Sequence, residues 1–455
     1  MSPSRANWLA RFQFQQIAQV KTMLNKKTID NPIISLCLLA VWFIFATQAA
    51  PDALAGQRQR TSAAAGKVVS ANSFPGADMG AKINAADKAL GNGPGEIVVS
   101  GGGTIATQVI ISSDHVLRLQ RGTYASKTAN IPILMKPRSS LIGAGWDQTI
   151  ILESTAAGQF TVVSAYNQSI ENGTADSGLT IRELQIKGAN PGFNSAPQAV
   201  SLGNCSGCLV DKVWINGTRS IGMQLGGSSR KGYFAENSRI TNCLFTRIAS
   251  QNLALANGKN IVFEGNRFMT SGQVGGPGNT NIDLEVNEAT DRLENVIIRN
   301  NLIDVRNSEV SPTGNGIVAQ STSGTPYVGP ILIEKNTIIG GETQGTVTNV
   351  LSNGIYIFGI TMRDVTIRDN TIRRTGQSGI RVEGTRIVVS NNQLFDVGGG
   401  GTPGFVVVAT DSQIVGNTFS YSGAGPADST MLIMPGSHGN TIQNNRGFSL
   451  SGAVR

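Results

Sequence analysis

The sequence predicts an all-β chain: a single-stranded parallel β-helix with three short strands per coil and a short capping helix at its N-terminal end. Three observations carry this expectation. A pattern of alternating apolar residues around an asparagine recurs from about residue 179 onward, a glycine-led strand precedes the clearest copies, and no segment between them has helical periodicity. Glycine takes 55 of 455 positions, and charged residues make up only 15%, which excludes a coiled coil. Hydrophobic residues at 40% supply a core and exclude bulk disorder. A length of 455 residues is long for one ordinary domain but normal for stacked repeats.

Residues 1–55 read as a signal peptide or membrane-anchoring segment, 56–73 as a linker, and 74–455 as the β-helix domain with its cap. The run from Ile33 to Ala50 is apolar and uncharged, follows Lys26 and Lys27, and is succeeded by Ala53-Leu54-Ala55 before Gly56. A basic flank, an apolar run and a small-x-small site make a secretory signal, with Met23 as an alternative start. An uncleaved anchor is the rival reading, since the run is about the minimum that spans a bilayer; the membrane is a partner only in that case. Either way the body lies outside the cytoplasm, in the extracellular space, periplasm or envelope. Leu36 stands before Cys37 where a lipoprotein site needs a small residue, so lipidation is not expected.

The formal charge is +8, and +5 remains after residue 55. No Lys/Arg cluster or aromatic-interleaved basic stripe follows, which argues against a nucleic-acid partner. With His115 and His438 as the only histidines, a multi-histidine metal centre is excluded.

Asp78 can cap a helix with Met79, Ile83, Ala86 and Leu90 on one face, ended by Gly91. That helix would cover the open end of the tube and its unpaired strand edge. Further on, Cys205 and Cys208 are spaced for a local disulfide in an oxidising compartment. Cys243 takes a position that is apolar in neighbouring repeats and reads as a buried free thiol.

The repeat is clearest as Phe263-Glu264-Gly265-Asn266-Arg267-Phe268, Ile298-Arg299-Asn300-Asn301-Leu302-Ile303 and Ile333-Glu334-Lys335-Asn336-Thr337-Ile338. It continues around Asn370, Asn392, Asn417 and Asn445, at separations of 35, 35, 34, 22, 25 and 28 residues from Asn266 onward. Leu184, Val213 and Cys243 take the Asn position in earlier copies. Asparagine suits the bend because it tolerates the left-handed backbone region and its amide can bond its neighbour in the stack. Alternate aliphatics fill the tube.

Gly102-Gly103-Thr104-Ile105, Gly122-Thr123-Tyr124 and Leu141-Ile142-Gly143-Ala144-Gly145, together with the Asn-bend repeats, resemble right-handed parallel β-helix proteins of the pectate-lyase-like superfamily. The resemblance spans about residues 74–448. It implies a right-handed coil and a polysaccharide lying in a groove along one outer sheet, bordered by long loops. The superfamily spans lyases, hydrolases, epimerases, tailspikes and proteins with no assigned reaction, so the fold alone names no activity.

Aligning the glycine-led strands places Asp283, Val318, Tyr356 and Arg381 in one outward column and Glu285, Gln320, Phe358 and Glu383 in a second. The longest insertions, 269–280, 304–315 and 339–353, feed the same coils, and such insertions are where function usually sits. Asp283 and Glu285 share a strand face with Cα atoms about 6.6 Å apart. Their carboxyls can reach the roughly 6.5–9.5 Å used for inverting glycoside hydrolysis, one as acid and one as base. Two exposed acids on a soluble sheet are also ordinary surface. Tyr356 and Phe358 can stack on sugars, Gln320 and Glu383 can hydrogen-bond them, and Arg381 can hold a uronate carboxylate. Elimination chemistry would instead draw on Arg381, or on Arg306 in a bordering segment, as its base. Glu383 lies three coils from Asp283, about 14 Å. Calcium is an alternative ligand of the acid patch, with Glu288 or Asp291 nearby, although no ligand loop is recognisable and no cofactor or metal is required by the sequence. Arg299, Glu334 and Arg368 align on the second sheet as a solvated ladder of alternating sign.

Asn279-Thr280-Asn281-Ile282-Asp283 resembles a shortened N-T-D motif of the polygalacturonase-type hydrolases, and from that family only Asp283 carries over. The following coil, Gly316-Ile317-Val318, lacks its paired aspartates, Thr385-Arg386-Ile387-Val388 lacks the lysine of its R-I-K motif, and no R-x-P-x-x-R signature of pectate lyases is present. Ser437-His438-Gly439 sits in the final coil, where His438 reads as a turn residue. Two functions follow: a polysaccharide lyase or hydrolase built on Asp283, Glu285 and Arg381, or a non-catalytic extracellular glycan-binding or structural β-helix. A trimeric tailspike is a third, which the export signal disfavours.

Overall fold

The computed structural model of the protein describes residues 66–128, 131–153, 162–165, 176–188, 198–218, 220–227, 229, 232–271, 280–306, 314–321, 328–341, 351–399, 401–423 and 427–452. The segment expected to be a signal or an anchor lies outside them, as do most of the three long insertions.

Every strand pair runs parallel and joins a residue to its counterpart one coil on. Among the described residues, 13 short strands form one face, and 27 strands form a hydrogen-bonded network that makes the other two. The network is continuous because Thr180–Lys187 pairs with both Ser140–Ile142 and Thr149–Leu152, running through the corner between faces. A representative coil is Ile317–Ser321, Ile331–Glu334 and Thr337–Ile339, with Asn336 at the corner. Alternation sends Ile317, Ala319, Ile331, Ile333 and Ile338 into the tube, where each is at most 1% exposed. The burial of one such side chain is worth about 1.5–3 kcal/mol, so the repeated core is what holds the stack.

The N-terminal helix spans Met79–Leu90 as expected, with Asp78 as N-cap and Gly91 at φ 79° as C-cap. Asp78 does more than cap: its Oδ1 accepts from Gly80 N at 2.8 Å and also from Thr107 N at 3.1 Å, tying the helix to the first coil. A second tie runs through Asp87, which accepts from Ser112 N at 3.1 Å and lies 2.7 Å from Nδ1 of the fully buried His115. At the far end Phe448 packs on Phe405 and Phe419, with ring centroids 5.9 and 5.7 Å apart, and covers the last coil.

Four expectations need correction. The linker ends earlier than residue 73: Lys67–Ser70 is already a strand, paired with Gly95–Val98, because its alternation lays Val69 against the core while Val68 faces out. The left-handed residue of each bend is the one before the laddered asparagine: Gly265, Asn300, Lys335, Asp369, Asn391, Gly416 and Asn444 all have φ between 55° and 70°. The same conformation holds at Glu183, Lys212 and Asn242, where no asparagine follows. The turn therefore belongs to the stack, and the asparagine contributes through its side chain. Asn336 Oδ1 accepts from Asn301 N and Nδ2 at 3.0 and 2.9 Å, while its own Nδ2 donates to Asn370 Oδ1 and Ile298 O, both at 3.0 Å. The charge ladder is less solvated than its sequence suggests, since Glu334 is 6% exposed beneath Arg368, which donates to it at 2.6 Å; Arg299 turns to Glu264 instead. The fourth correction concerns Asp283 and is given with the site below.

Cys205 and Cys208 are disulfide-bonded, a pairing their spacing allowed, and Cys243 is a buried free thiol as expected.

Candidate functional site

The strand Ile282–Val286 buries Ile282, Leu284 and Val286 in the tube, which turns Asp283 and Glu285 to the outside of the 13-stranded face. The observed register reproduces the expected columns. Asp283 pairs with Val318, Val318 with Tyr356 and Tyr356 with Arg381; Glu285 pairs with Gln320 and Gln320 with Phe358.

Pointing outward is not the same as being exposed, and here the expectation of two exposed acids fails for one of them. Asp283 is 4% exposed, set between Ala254 and Val318 in the adjacent coils, whereas Glu285 is half-buried. Gln251, from the preceding coil, donates Nε2 to Asp283 Oδ2 at 3.3 Å, and Ser250 Oγ donates to Gln251 Oε1 at 2.6 Å, which fixes the amide's orientation. Asp283 Oδ1 is buried with no hydrogen-bond partner among the described residues. Burial, then the neighbouring Glu285 charge, push the Asp283 carboxyl up to about 7, against the smaller opposing effect of Gln251. Burial also raises Glu285, opposed by a hydrogen bond from Asn287. Burial raises both acids of this strand, and Asp283 is the more deeply buried of the two.

A second cluster begins two rungs along. The Tyr356 and Phe358 rings lie 5.6 Å apart at 54°, and the Arg381 guanidinium sits 5.2 Å over the Tyr356 ring. Arg381 donates Nε and a terminal nitrogen to Glu383 Oε1 at 3.2 and 2.8 Å, and Gly359 N donates to Glu383 Oε2 at 3.4 Å. Gln320 lies between the clusters. Arg381 stands three rungs from Asp283, about 14 Å along the tube, so the two do not meet at one bond. Arg306 is bidentate on Asp304 at 2.9 and 2.6 Å.

The family model of the right-handed β-helix region matches residues 169–359 and 353–453. The chain belongs to this right-handed β-helix family. No curated protein matches the chain. Among solved structures, the A-module of a mannuronan C-5 epimerase from Azotobacter vinelandii is 15% identical, covers 85% of this chain and 97% of its own, and has a TM-score of 0.58. The surface protein and adhesin PfbA of Streptococcus pneumoniae is also 15% identical, over 85% of this chain and 99% of its own, at 0.53. A family 28 exopolygalacturonase from Yersinia enterocolitica is 13% identical, over 83% and 78%, at 0.54. At these identities the likeness is one of fold.

Asp291, named beside the calcium alternative, is engaged with the backbone of its own turn and of a neighbouring segment. Asp291 is fully buried and both its oxygens are taken, Oδ1 by Ser229 N at 2.9 Å and Oδ2 by Glu288 N and Asn287 N at 2.9 and 3.2 Å. No group of three or more metal-ligating His, Cys, Asp or Glu side chains occurs among the described residues. Asp291 instead anchors the turn that carries Asn287 to Glu285. Gln251, Asn287 and the 85%-exposed Ile360 were not singled out by sequence reasoning. The register would have found Gln251, because it precedes Ala254, the rung below Asp283; Asn287 depends on a turn that no periodicity shows.

Proposed function

We propose that the protein is an exported glycan-cleaving β-helix enzyme that hydrolyses a glycosidic bond at Asp283 and Glu285. The observation that carries this reading is the split between the two acids: Asp283 is buried with its carboxyl pushed up to about 7, and Glu285 beside it is half-buried. Asp283 would hand its proton to the glycosidic oxygen as the bond to the anomeric carbon breaks. Glu285 would take a proton from the water that attacks that carbon on the opposite side, and exchange with solvent would restore both groups. The names of two fold relatives, a mannuronan epimerase and an exopolygalacturonase, support a glycan as substrate. Hydrolysis is preferred over elimination because Arg381 is remote from Asp283 and held by Glu383.

A non-catalytic glycan-binding protein is the second reading, favoured by the near-complete burial of Asp283. The purified protein, incubated with a broad glycan panel and followed for new reducing ends and for unsaturated-sugar absorbance, separates the two. Reducing ends lost in Asp283→Asn and Glu285→Gln support hydrolysis. Unsaturated product overturns the mechanism, and inactivity of the folded protein across the panel overturns catalysis.

A further inference from the structure

Among the described residues, the outward face between Asp283 and Glu383 carries three carboxyl groups and a single guanidinium. That guanidinium is matched within its own strand, because two Arg381 N–H groups point at Glu383. Arg306, the other cation expected at the rim, is bidentate on Asp304. A polyuronate brings a carboxylate on every sugar and would meet, among the described residues of this face, the Glu285 carboxyl group and no unmatched cation.

The apolar features point the other way. Phe358 is 43% exposed and Ile360 85%, two of the few large hydrophobic side chains so exposed among the described residues. Tyr356 and Phe358 form an aromatic shelf suited to the C–H faces of sugar rings, and Gln320 adds an uncharged donor and acceptor between the shelf and Glu285.

We propose that this face takes an uncharged glycan, its sugars seated on Tyr356 and Phe358 and its chain laid along the column toward Asp283, and that it rejects polyuronates. This rests on the glycan reading of the Asp283 face and gives that reading a substrate class. The shelf is two rungs from Asp283, roughly 10 Å along the axis, so a ligand must span that gap to engage both.

The test uses the full chain carrying Asp283→Asn to stop turnover. It is titrated with uncharged hexasaccharides of glucose, mannose, galactose, xylose and N-acetylglucosamine, and with hexamers of galacturonate, mannuronate and guluronate, each with and without calcium chloride. The expected result is an uncharged hexamer bound at least ten-fold tighter than any uronate. Adding Phe358→Ala should weaken it about ten-fold, and adding Glu383→Gln should narrow the discrimination. A uronate hexamer bound as tightly as the best uncharged one, and lost with Arg381→Gln, overturns the proposal while leaving the glycan reading intact. Binding of neither series by the folded protein removes the glycan reading and this proposal together.

Discussion

Asp283 and Arg381 occupy one outward column of the 13-stranded face but are separated by the rungs of Val318 and Tyr356. In the proposed reading the acid and the guanidinium serve different parts of a bound chain. Arg381→Gln should raise KM several-fold and leave kcat within about three-fold, whereas Asp283→Asn should lower kcat by about 100-fold or more. Steady-state kinetics on the glycan found by the panel checks the division, and equal loss of kcat in both variants would refute it.

The pH dependence follows from burial. Between the ordinary value of 3.8 and about 7, folded Asp283 holds a proton that the unfolded chain has released, so its contribution to stability falls as pH rises through that window. Asp283→Asn has no proton to lose there. Chemical denaturation should find the variant close to wild type below about pH 4 and more stable by about 2–4 kcal/mol above pH 7. Activity should fall as pH rises through about 7, when the acid ionises, and fall again in acid when Glu285, itself raised, is protonated.

Asn336→Ala removes four hydrogen bonds from the middle of the buried ladder and leaves Ile298 O and Asn301 N without their partners. A loss of about 3 kcal/mol is expected in urea unfolding. Asn445→Ala, at the half-exposed end of the same ladder, should cost under about 1 kcal/mol because water can replace the missing amide.

Gly80 is the second residue of the helix, where alanine would ordinarily stabilise by up to about 1 kcal/mol. A Cβ at Gly80 would lie 2.0 Å from Thr107 O, so Gly80→Ala should instead lower the melting temperature and loosen the cap, read as faster amide exchange in Met79–Leu90.

Asp87→Ala should open the same cap by a different route. It strips acceptors from Ser112 N and from the buried His115, and exchange should quicken in the helix and in His115–Leu119 while the Asn ladder stays protected. Unchanged exchange in both would show that the Asp78 tie and the apolar packing of Ile83 and Ala86 hold the helix without Asp87.

Much of this protein is written locally. The alternation of Ile331, Ile333 and Ile338 around Asn336 specifies inward faces, and the recurrence of that unit specifies stacking, because a single coil cannot bury its own apolar side. The helix from Asp78 to Gly91 was equally legible, its cap and stop being nearest-neighbour chemistry. The outward columns followed from the register, so Asp283, Glu285, Tyr356 and Arg381 could be placed on one face before any coordinates.

Only the tertiary structure decided how those residues are dressed. Whether Asp283 is exposed depends on Ala254 and Val318 from neighbouring coils and on Gln251, which lies 32 positions away in sequence. Whether Arg381 is free depends on Glu383, whose side chain turned toward it rather than toward solvent. Periodicity states which way a side chain leaves the backbone. Solvation and charge are set by everything within a few ångströms, and in a stacked coil most of those atoms come from a different turn of the chain.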